Sequence, residues 1–520
     1  MEIDLLIIGG GINGCGIAAD AAGRGLSVLL CEQEDLAFGT SSSSTKLIHG
    51  GLRYLENFQF KLVRSSLKER EILMRKAPHL IQPMRFILPY NNQLRSSAMV
   101  RLGLMLYDLL HLDKILPSSK KIDLQYSKEG GPLKGQFKFG FSYFDGWTDD
   151  ARLVVLNAIA AREHGAHILT RTRCKFIKRD GNLWQVKLND LRHNRILKLQ
   201  AKAVINAAGP WVADVIENVA KLSTHTKTRL IQGSHIVIPK LYEGLHAYVL
   251  QNPDGRILFV LPYQEKFTLI GTTEIEYEGD PNLSATSNRE LNYLCNSVNR
   301  FFSKQIYSDQ IVWSYSGVRL LYDDEHTKNR TKISREYYLE IDRNEKATAA
   351  TKEESPHIKY APLISIFGGK LTTYRKLAED VLMLLQEDFP NMGPPWTAAS
   401  PLPGGDCDNL SFSEFLKALE QRYPWLPLPL IERYANSYGS LCHTLLADCH
   451  RLKDLGQHFG ENLFAKEIFY LVKNEWVQKV DDLIWRRTKL GLLLNPSEVE
   501  AIELYLKTLV PSDVPRIGNF

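Results

Sequence analysis

Cysteine is scarce, with seven in 520 residues and no C-x-x-C pair among them. So sparse and odd a set excludes a disulfide scaffold and predicts reduced thiols in an intracellular protein. No charge dominates: 64 basic against 59 acidic side chains leave +5, so nucleic acid is not an expected partner. No stretch reaches the roughly 18 apolar residues that a membrane-spanning helix needs. The nearest approach, Ala98 to Leu110, carries Arg101 and Asp108. Met1-Glu2-Ile3-Asp4 has no basic start and runs straight into a glycine motif, unlike a signal peptide. Repeats of 20–50 residues are also missing. Metal spacing is absent too: His443 and His450 follow Cys442 and Cys449 at seven-residue spacing in one leucine-rich segment, which is no closed zinc pattern.

The first 77 residues lack proline. Within them Ile3 to Ile8 reads as a strand buried on both faces, Ile12 to Ala22 as a closely packed Ala/Gly helix ended by Gly25, and Leu26 to Cys31 as a second strand. That is a βαβ unit. Gln59 to Lys76 is a charged helical stretch. Thr148 is a plausible N-cap, followed by Asp149 and Asp150 in a first turn and by Gly165 as the stop. Strands follow, with Asp180-Gly181 as a hairpin turn and Lys202 to Ala208 as another buried strand. The alternation predicts an α/β fold in which a Rossmann-like nucleotide domain (about 1–80, 149–225 and 310–390) interleaves with a mixed-sheet domain (about 81–148 and 226–309). Gly393 to Gly405, with four prolines and three glycines, reads as part of a linker over 393–406, and 407–520 as an all-α C-terminal domain.

Gly9-x-Gly11-x-x-Gly14 sits between the first strand and the first helix. Gly9 permits the tight turn, Gly11 lets backbone approach a pyrophosphate, and Gly14 lets helix and strand pack closely. The helix N-terminus adds N–H groups for phosphate. Glu32, at the end of the second strand, suits ribose hydroxyls and disfavours a 2′-phosphate, so FAD or NAD is preferred over NADP. The hydroxyl run Thr40 to Thr45 then leads into Lys46-Leu47-Ile48-His49-Gly50-Gly51-Leu52-Arg53-Tyr54-Leu55. It offers donors for phosphate and flavin edges, and its glycine pair allows backbone to approach a flat ring.

Several long stretches together carry a resemblance: IGGGINGCGIAADAAGRG ending at Gly25, KLIHGGLRYL from Lys46, DDARL from Asp149, INAAGPW from Ile205, GSHI from Gly233, YSGVR from Tyr315 and FGGKLTTYR from Phe367. In them the chain resembles the aerobic, FAD-dependent glycerol-3-phosphate dehydrogenases of bacteria. Glu475-Trp476 and Trp485-Arg486-Arg487-Thr488-Lys489 extend the match toward the C-terminus, and the lack of a D-x-D-x-D-G loop separates the chain from the EF-hand-bearing animal type. The resemblance implies a D-amino-acid-oxidase-like fold, one FAD, oxidation of sn-glycerol 3-phosphate to dihydroxyacetone phosphate, and electrons passed to ubiquinone. It implies a substrate pocket with Arg53, Tyr54, His235, Arg319, Arg335 and Lys370. The FAD contacts expected beyond the glycine loop are Ser42, Ser43, Lys46, His49 and Gly50, then Gly209, then Gly368, Gly369, Lys370, Leu371 and Thr372. Two departures are Leu320, where proline is expected after Arg319, and a long polar stretch from Glu345 to His357.

The chemistry of the residues agrees. A phosphomonoester is a dianion, and the planar guanidinium of Arg319 or Arg335, supported by Arg53, suits its oxygens. His235 is a candidate base for the C2 hydroxyl or, alternatively, a buried histidine bonded to backbone, and Lys370 bonds the flavin or polarises that hydroxyl. Alternatives remain open at this level: a glycerol-3-phosphate oxidase delivering electrons to dioxygen, or a membrane-associated protein with a structural flavin. The C-terminal domain is assigned to homodimer formation or to partner docking. Because ubiquinone lies in the bilayer, the expected location is peripheral, on the cytoplasmic face of the inner membrane, with a soluble cytoplasmic fraction as the variant. The apolar segment Met99, Val100, Leu102, Leu104, Met105, Leu106, Leu109 and Leu110 reads either as the contact with the lipid surface, with Arg101 and Lys114 reaching headgroups, or as a core helix of the substrate domain. Arg486-Arg487-Thr488-Lys489 reads as a solvated basic helix face, with added attraction to anionic lipid as the alternative.

Overall fold

The computed structural model of the chain describes residues 1–90, 96–110, 116–224, 226–322, 336–343 and 360–509. Strand Glu2–Ile8 is apolar on both faces because it lies inside a sheet, with Val28–Cys31 on one side and Arg195–Asn206 on the other, all parallel. Leu363–Phe367 and His167–Leu169 extend this parallel core, and Tyr338–Asp342 closes one edge antiparallel. The hairpin Thr172–Asp180 and Leu183–Asp190 pairs with the outer half of Arg195–Asn206. Helix Ile12–Gly23 is made of small residues for a steric reason. A Cβ at Gly16 would meet the Tyr374 ring at 2.6 Å, and one at Gly23 would lie 2.2 Å from Trp396.

A second sheet runs Leu47–Ile48, Phe139–Thr148, Ile81–Pro89, Ala247–Gln251, Ile257–Tyr263, Phe267–Gly271, Thr228–Pro239 and Ile275–Glu276, and its strands alternate between a core face and the cavity described below. Trp313–Tyr322 also belongs to it, paired antiparallel with Thr228–Pro239 from Val237↔Trp313 to Thr228↔Tyr322. The stretch 310–390 is therefore divided between the two layers rather than lying in the nucleotide domain. Thr148 closes strand Phe139–Thr148, and it is Asp149 that caps helix Asp150–Glu163, its carboxylate accepting from the Arg152 N–H.

Helices Phe412–Arg422, Leu428–Tyr438, Ala465–Asn474 and Pro496–Leu509 enclose a core of their own, including Phe415, Leu430, Tyr434, Ile468, Leu471 and Ile502. The segment 393–406 is tied down rather than free: Trp396 donates to the Asp20 carbonyl, and Lys76 Nζ donates to the carbonyls of Thr397 and Ser400. The basic run near the end faces inward. Arg487 and Lys489 are buried, Arg486 nearly so, and both arginines bond Asp35 at 2.6–3.0 Å. They are unavailable to lipid headgroups, which corrects the expectation of a solvated basic face. Arg152 pairs with Glu475, Trp313 stacks on Trp485 at 4.7 Å, and so the helical domain docks on the first two layers through buried charge and aromatic area. Among the described residues, no helix is long and apolar enough to cross a membrane.

Candidate active site

A cavity of about 800 Å³ runs from the first βαβ unit into the second sheet, within the range of small-molecule and cofactor pockets. At one end lies the glycine loop. Gly9 adopts φ +114°, and a Cβ there would meet the Ala207 carbonyl oxygen at 2.5 Å; a Cβ at Gly14 would lie 2.0 Å from the Gly9 carbonyl oxygen. Those two glycines are required by the protein's own backbone. Gly11 differs: it lines the cavity, and the nearest atom to its hypothetical Cβ is Ser41 Oγ at 3.1 Å. Glu32 accepts from the Gly10 N–H and, through its other oxygen, from the Glu34 N–H, each at 2.7 Å. It lines the same end of the cavity with Gln33, Phe38 and Thr172.

The hydroxyl segment forms the middle wall. Ser41 Oγ accepts from the Ile12 N–H at the start of the first helix, and Thr40 Oγ1 donates to the Val318 carbonyl, tying the segment to both layers. Thr40, Ser41, Ser43, Ser44 and Thr45 line the cavity; Ser42 does not. Lys46 also turns away. Its ammonium is buried against Asp150 at 2.7 Å and the Ser42 carbonyl at 3.1 Å, so it braces the segment from behind. Gly50 is likewise structural: its N–H donates to Tyr107, and a Cβ would strike Leu67 at 2.5 Å, whereas Gly51, at φ +78°, faces the cavity. His49, Gly209, Gly368, Gly369, Lys370, Leu371 and Thr372 all line it, with the His49 N–H donating to Thr372 Oγ1.

The far end holds Tyr54, Arg319 and Lys370. Lys370 Nζ lies 4.0 Å above the Tyr54 ring. Arg319 is reached through Thr228–Pro239 and Trp313–Tyr322, and a Cβ at Gly233 would come within 3.6 Å of its Nη2 and 2.7 Å of Thr272 Oγ1. The small residue leaves room beside the guanidinium. Among the described residues no carboxylate pairs with Arg319, and burial holds its pKa below the ordinary value, opposed by Tyr54. A desolvated guanidinium without an anion is costly unless a ligand supplies one. Arg335 lies outside the described residues, as do Lys114, the 345–357 stretch and the side chain of Arg53.

His235 is not on the cavity wall. Its ring is fully buried, stacked on Tyr315 at 4.8 Å, with Nε2 2.9 Å from Thr45 Oγ1, which does line the cavity. Burial first, then the positive charges of Arg319 and Lys46, push its pKa well below the ordinary value. His79 is also buried, its pKa lowered to about 3 by burial and by Arg152. Both imidazoles are neutral when folded but take a proton in the unfolded chain below about pH 6.5. The unfolded state then binds more protons, so stability rises with pH up to that value and falls on acidification. His79→Phe is expected to abolish about 2 kcal/mol of the stability lost between about pH 7 and pH 5, read as the difference between denaturant midpoints. An unchanged acid limb would refute the buried neutral state.

Residues 4–364 match the family model of FAD-dependent oxidoreductases, and 396–510 match that of the C-terminal domain of alpha-glycerophosphate oxidase. The chain is 50% identical over 514 residues to a glycerol-3-phosphate dehydrogenase of Pseudomonas aeruginosa, covering 99% of this chain and 96% of that one. The chain belongs to the FAD-dependent glycerol-3-phosphate dehydrogenase family. A D-erythritol 1-phosphate dehydrogenase of Brucella abortus is 45% identical over 95% of this chain and 96% of its own. The solved glycerol-3-phosphate dehydrogenase of Bacillus halodurans, complexed with FAD, superposes with a TM-score of 0.73 at 26% identity, over 100% of this chain and 96% of that one.

The cavity fits the family's cofactor. Open space in front of Gly11, the Glu32 carboxylate at one end and the buried Asn13 Oδ1, unpartnered among the described residues, are what a long dinucleotide with phosphates and hydroxyls requires. Sequence reasoning missed Asn13 and Thr272 as wall residues. Asn13 lies inside the glycine fingerprint and was findable there; Thr272 has no local signal, because only strand pairing brings it beside Arg319.

Proposed function

We propose that this chain oxidises sn-glycerol 3-phosphate to dihydroxyacetone phosphate and passes the electrons to ubiquinone at a membrane surface. The observation that carries the substrate is Arg319, a buried guanidinium in the cavity with no carboxylate of its own among the described residues. In this reading Arg319 binds the phosphate, with Arg53 and Arg335 as further clamp candidates. Bound FAD supplies the two-electron acceptor for the hydride from C2. Tyr54 and Lys370, which line the same cavity, orient the two free hydroxyls of the substrate. Thr45 Oγ1 takes up the C2 hydroxyl proton as it donates its own to the neutral His235 Nε2, and the imidazolium, which burial destabilises, gives that proton up through Thr45 to water in the cavity once the ketone product has left. The adenosine and pyrophosphate are held by Gly11, Glu32, Ser41 and Ser43, and the flavin by His49, Gly51 and Gly368 to Thr372.

The test is anaerobic addition of glycerol 3-phosphate to the yellow protein, then of a soluble ubiquinone or of air. Bleaching followed by fast quinone and slow air reoxidation is the expected result. No bleaching would refute the activity, and fast reoxidation by air would favour the oxidase, after which the matching C-terminal family is named. D-Erythritol 1-phosphate belongs in the same assay, since a phosphate clamp serves both substrates. His235→Asn is expected to slow bleaching about a hundredfold, the low end for a positioned base. Unchanged bleaching would leave the proton to Lys370 or water.

One helix supports a location at the membrane surface. Ser97–Leu109 buries Leu104 and Tyr107 but exposes Met99, Leu102, Met105 and Leu109, the last at 76%, and Phe58 nearby in sequence to its contact segment Leu52–Asn57 is 80% exposed. Arg101 on that helix and Lys61, Arg64 and Lys68 along Phe60–Lys76 are exposed cations. Apolar side chains beside basic ones suit an anionic bilayer surface, here the cytoplasmic face of the inner membrane. Burying two such side chains contributes roughly 3–6 kcal/mol. Leu102→Asp with Met105→Asp is therefore expected to weaken co-sedimentation with phosphatidylglycerol vesicles at least a hundredfold, leaving reduction of a soluble dye intact. Undiminished sedimentation would remove this helix from the lipid contact.

A further inference from the structure

The helical C-terminal domain reaches the nucleotide end of the cavity through three residues, Asp482, Arg486 and Arg487. Asp35 lies in the turn after Glu32 and is buried against Arg486 Nε at 2.6 Å and Arg487 at 2.9 and 3.0 Å. Arg171 spans the same gap, with Glu34 at 2.5 Å on one side and Asp482 at 2.7 Å on the other. Asp482 to Arg487 form one wide π-helical turn, which aims these side chains the same way. Arg487 is itself fixed, donating to the Glu475 carbonyl at 2.7 Å.

The clamped turn belongs to the cavity. Glu32, Gln33, Phe38 and Gly39 line it, and the Arg486 guanidinium lies 5.5 Å from the Phe38 ring. At the turn's far end the Ala37 N–H donates to the Gly10 carbonyl at 3.0 Å, while Gly10 N–H donates back to Glu32. A force on Asp35 thus reaches both the ribose carboxylate and the glycine loop within a few bonds. Nothing about docking two domains requires a carboxylate buried at that one turn.

We infer that Arg486 and Arg487 are positioning residues for FAD: through Asp35 the C-terminal domain holds the turn that receives the adenosine half of the cofactor. The inference rests on the assignment of Glu32 to the adenosine ribose. Its consequence is selective. Releasing the clamp loosens the adenosine half and leaves the flavin half, held by His49, Gly51 and Gly368 to Thr372, as it was.

The experiment strips flavin reversibly from the full-length protein and titrates it with FAD and with FMN, following flavin fluorescence. Asp35→Asn and Arg487→Met are expected to raise the Kd for FAD at least tenfold and to change that for FMN less than twofold, with Arg487→Lys between them and the parent. Equal losses for FAD and FMN would overturn the inference, because a merely structural role weakens both. An unchanged Kd for FAD in soluble, folded variants would also overturn it. If Arg487→Met does not fold, Arg486→Met, which leaves Arg487 to neutralise Asp35, is held to the same criterion. Glu32→Gln separates the two readings: FAD-selective loss there but not in the clamp variants overturns the clamp alone. FAD-selective loss in none of them overturns the adenosine placement and the clamp with it.

Discussion

Arg319→Ala is expected to raise KM for glycerol 3-phosphate about a hundredfold or more while the protein stays folded and yellow. A charge-assisted hydrogen bond contributes roughly 1.5–3 kcal/mol, and a guanidinium makes two to a phosphate, so the loss is at least ~3 kcal/mol, or two powers of ten. Fold and flavin are spared for a structural reason: no carboxylate among the described residues depends on Arg319, so removing it strands no buried charge. It also removes a desolvated cation, so thermal stability should hold or rise, the trade-off of a site that stores its cost for a ligand. Turnover of unphosphorylated glycerol, poor in the parent, should stay where it is, so discrimination between the two substrates collapses. Steady-state kinetics with both substrates, alongside a melting curve, reads all of this. Unchanged kinetics would take Arg319 out of the site, and a collapsed melting temperature would make it a structural residue.

The local elements were legible and the side-chain directions were not. The βαβ unit could be read from Ile3 to Cys31 because strand burial, glycine spacing and a terminal acid are short-range signals, and the structure has strand Glu2–Ile8, helix Ile12–Gly23 and strand Val28–Cys31. Within the hydroxyl run, composition could not tell Ser42 and Lys46 from Ser41 and Thr45. The difference lies in Asp150, which is 104 residues from Lys46 in sequence and draws that lysine off the cavity. Gly50 and Gly51 look alike as letters, yet Tyr107 and Leu67 pack one while the other faces the cavity. The run from Arg486 to Lys489 is the clearest case. Four polar residues in a row read as a wet face until Asp35 and Asp149 arrive from the far end of the chain. Long-range charge pairing reversed that expectation, and local pattern carries no information about it.

The same contrast separates two glycines of one fingerprint. Gly11→Val is expected to yield a folded protein that keeps almost no FAD. Gly11 has φ −82° and ψ −175°, extended backbone that valine adopts without strain. Among the described residues, chain neighbours aside, the only atom within 4 Å of its new Cβ is Ser41 Oγ, at 3.1 Å. Ser41 can give by a few tenths of an ångström at some cost to its bond with the Ile12 N–H, so the fold survives. The two methyls then stand in the cavity where backbone must meet the pyrophosphate, and they screen the helix N-terminus from it. Gly14→Ala should behave in the opposite way: its Cβ would fall 2.0 Å from the Gly9 carbonyl oxygen, so the turn opens and folding itself suffers. The two variants are told apart by the flavin-to-protein absorbance ratio set against the melting temperature. Gly11→Val should lose the first and keep most of the second, apart from the stabilisation that bound FAD contributes by mass action. A Gly11→Val protein that purifies with full flavin would mean that the pyrophosphate lies elsewhere, and the assignment of the glycine loop would fail with it.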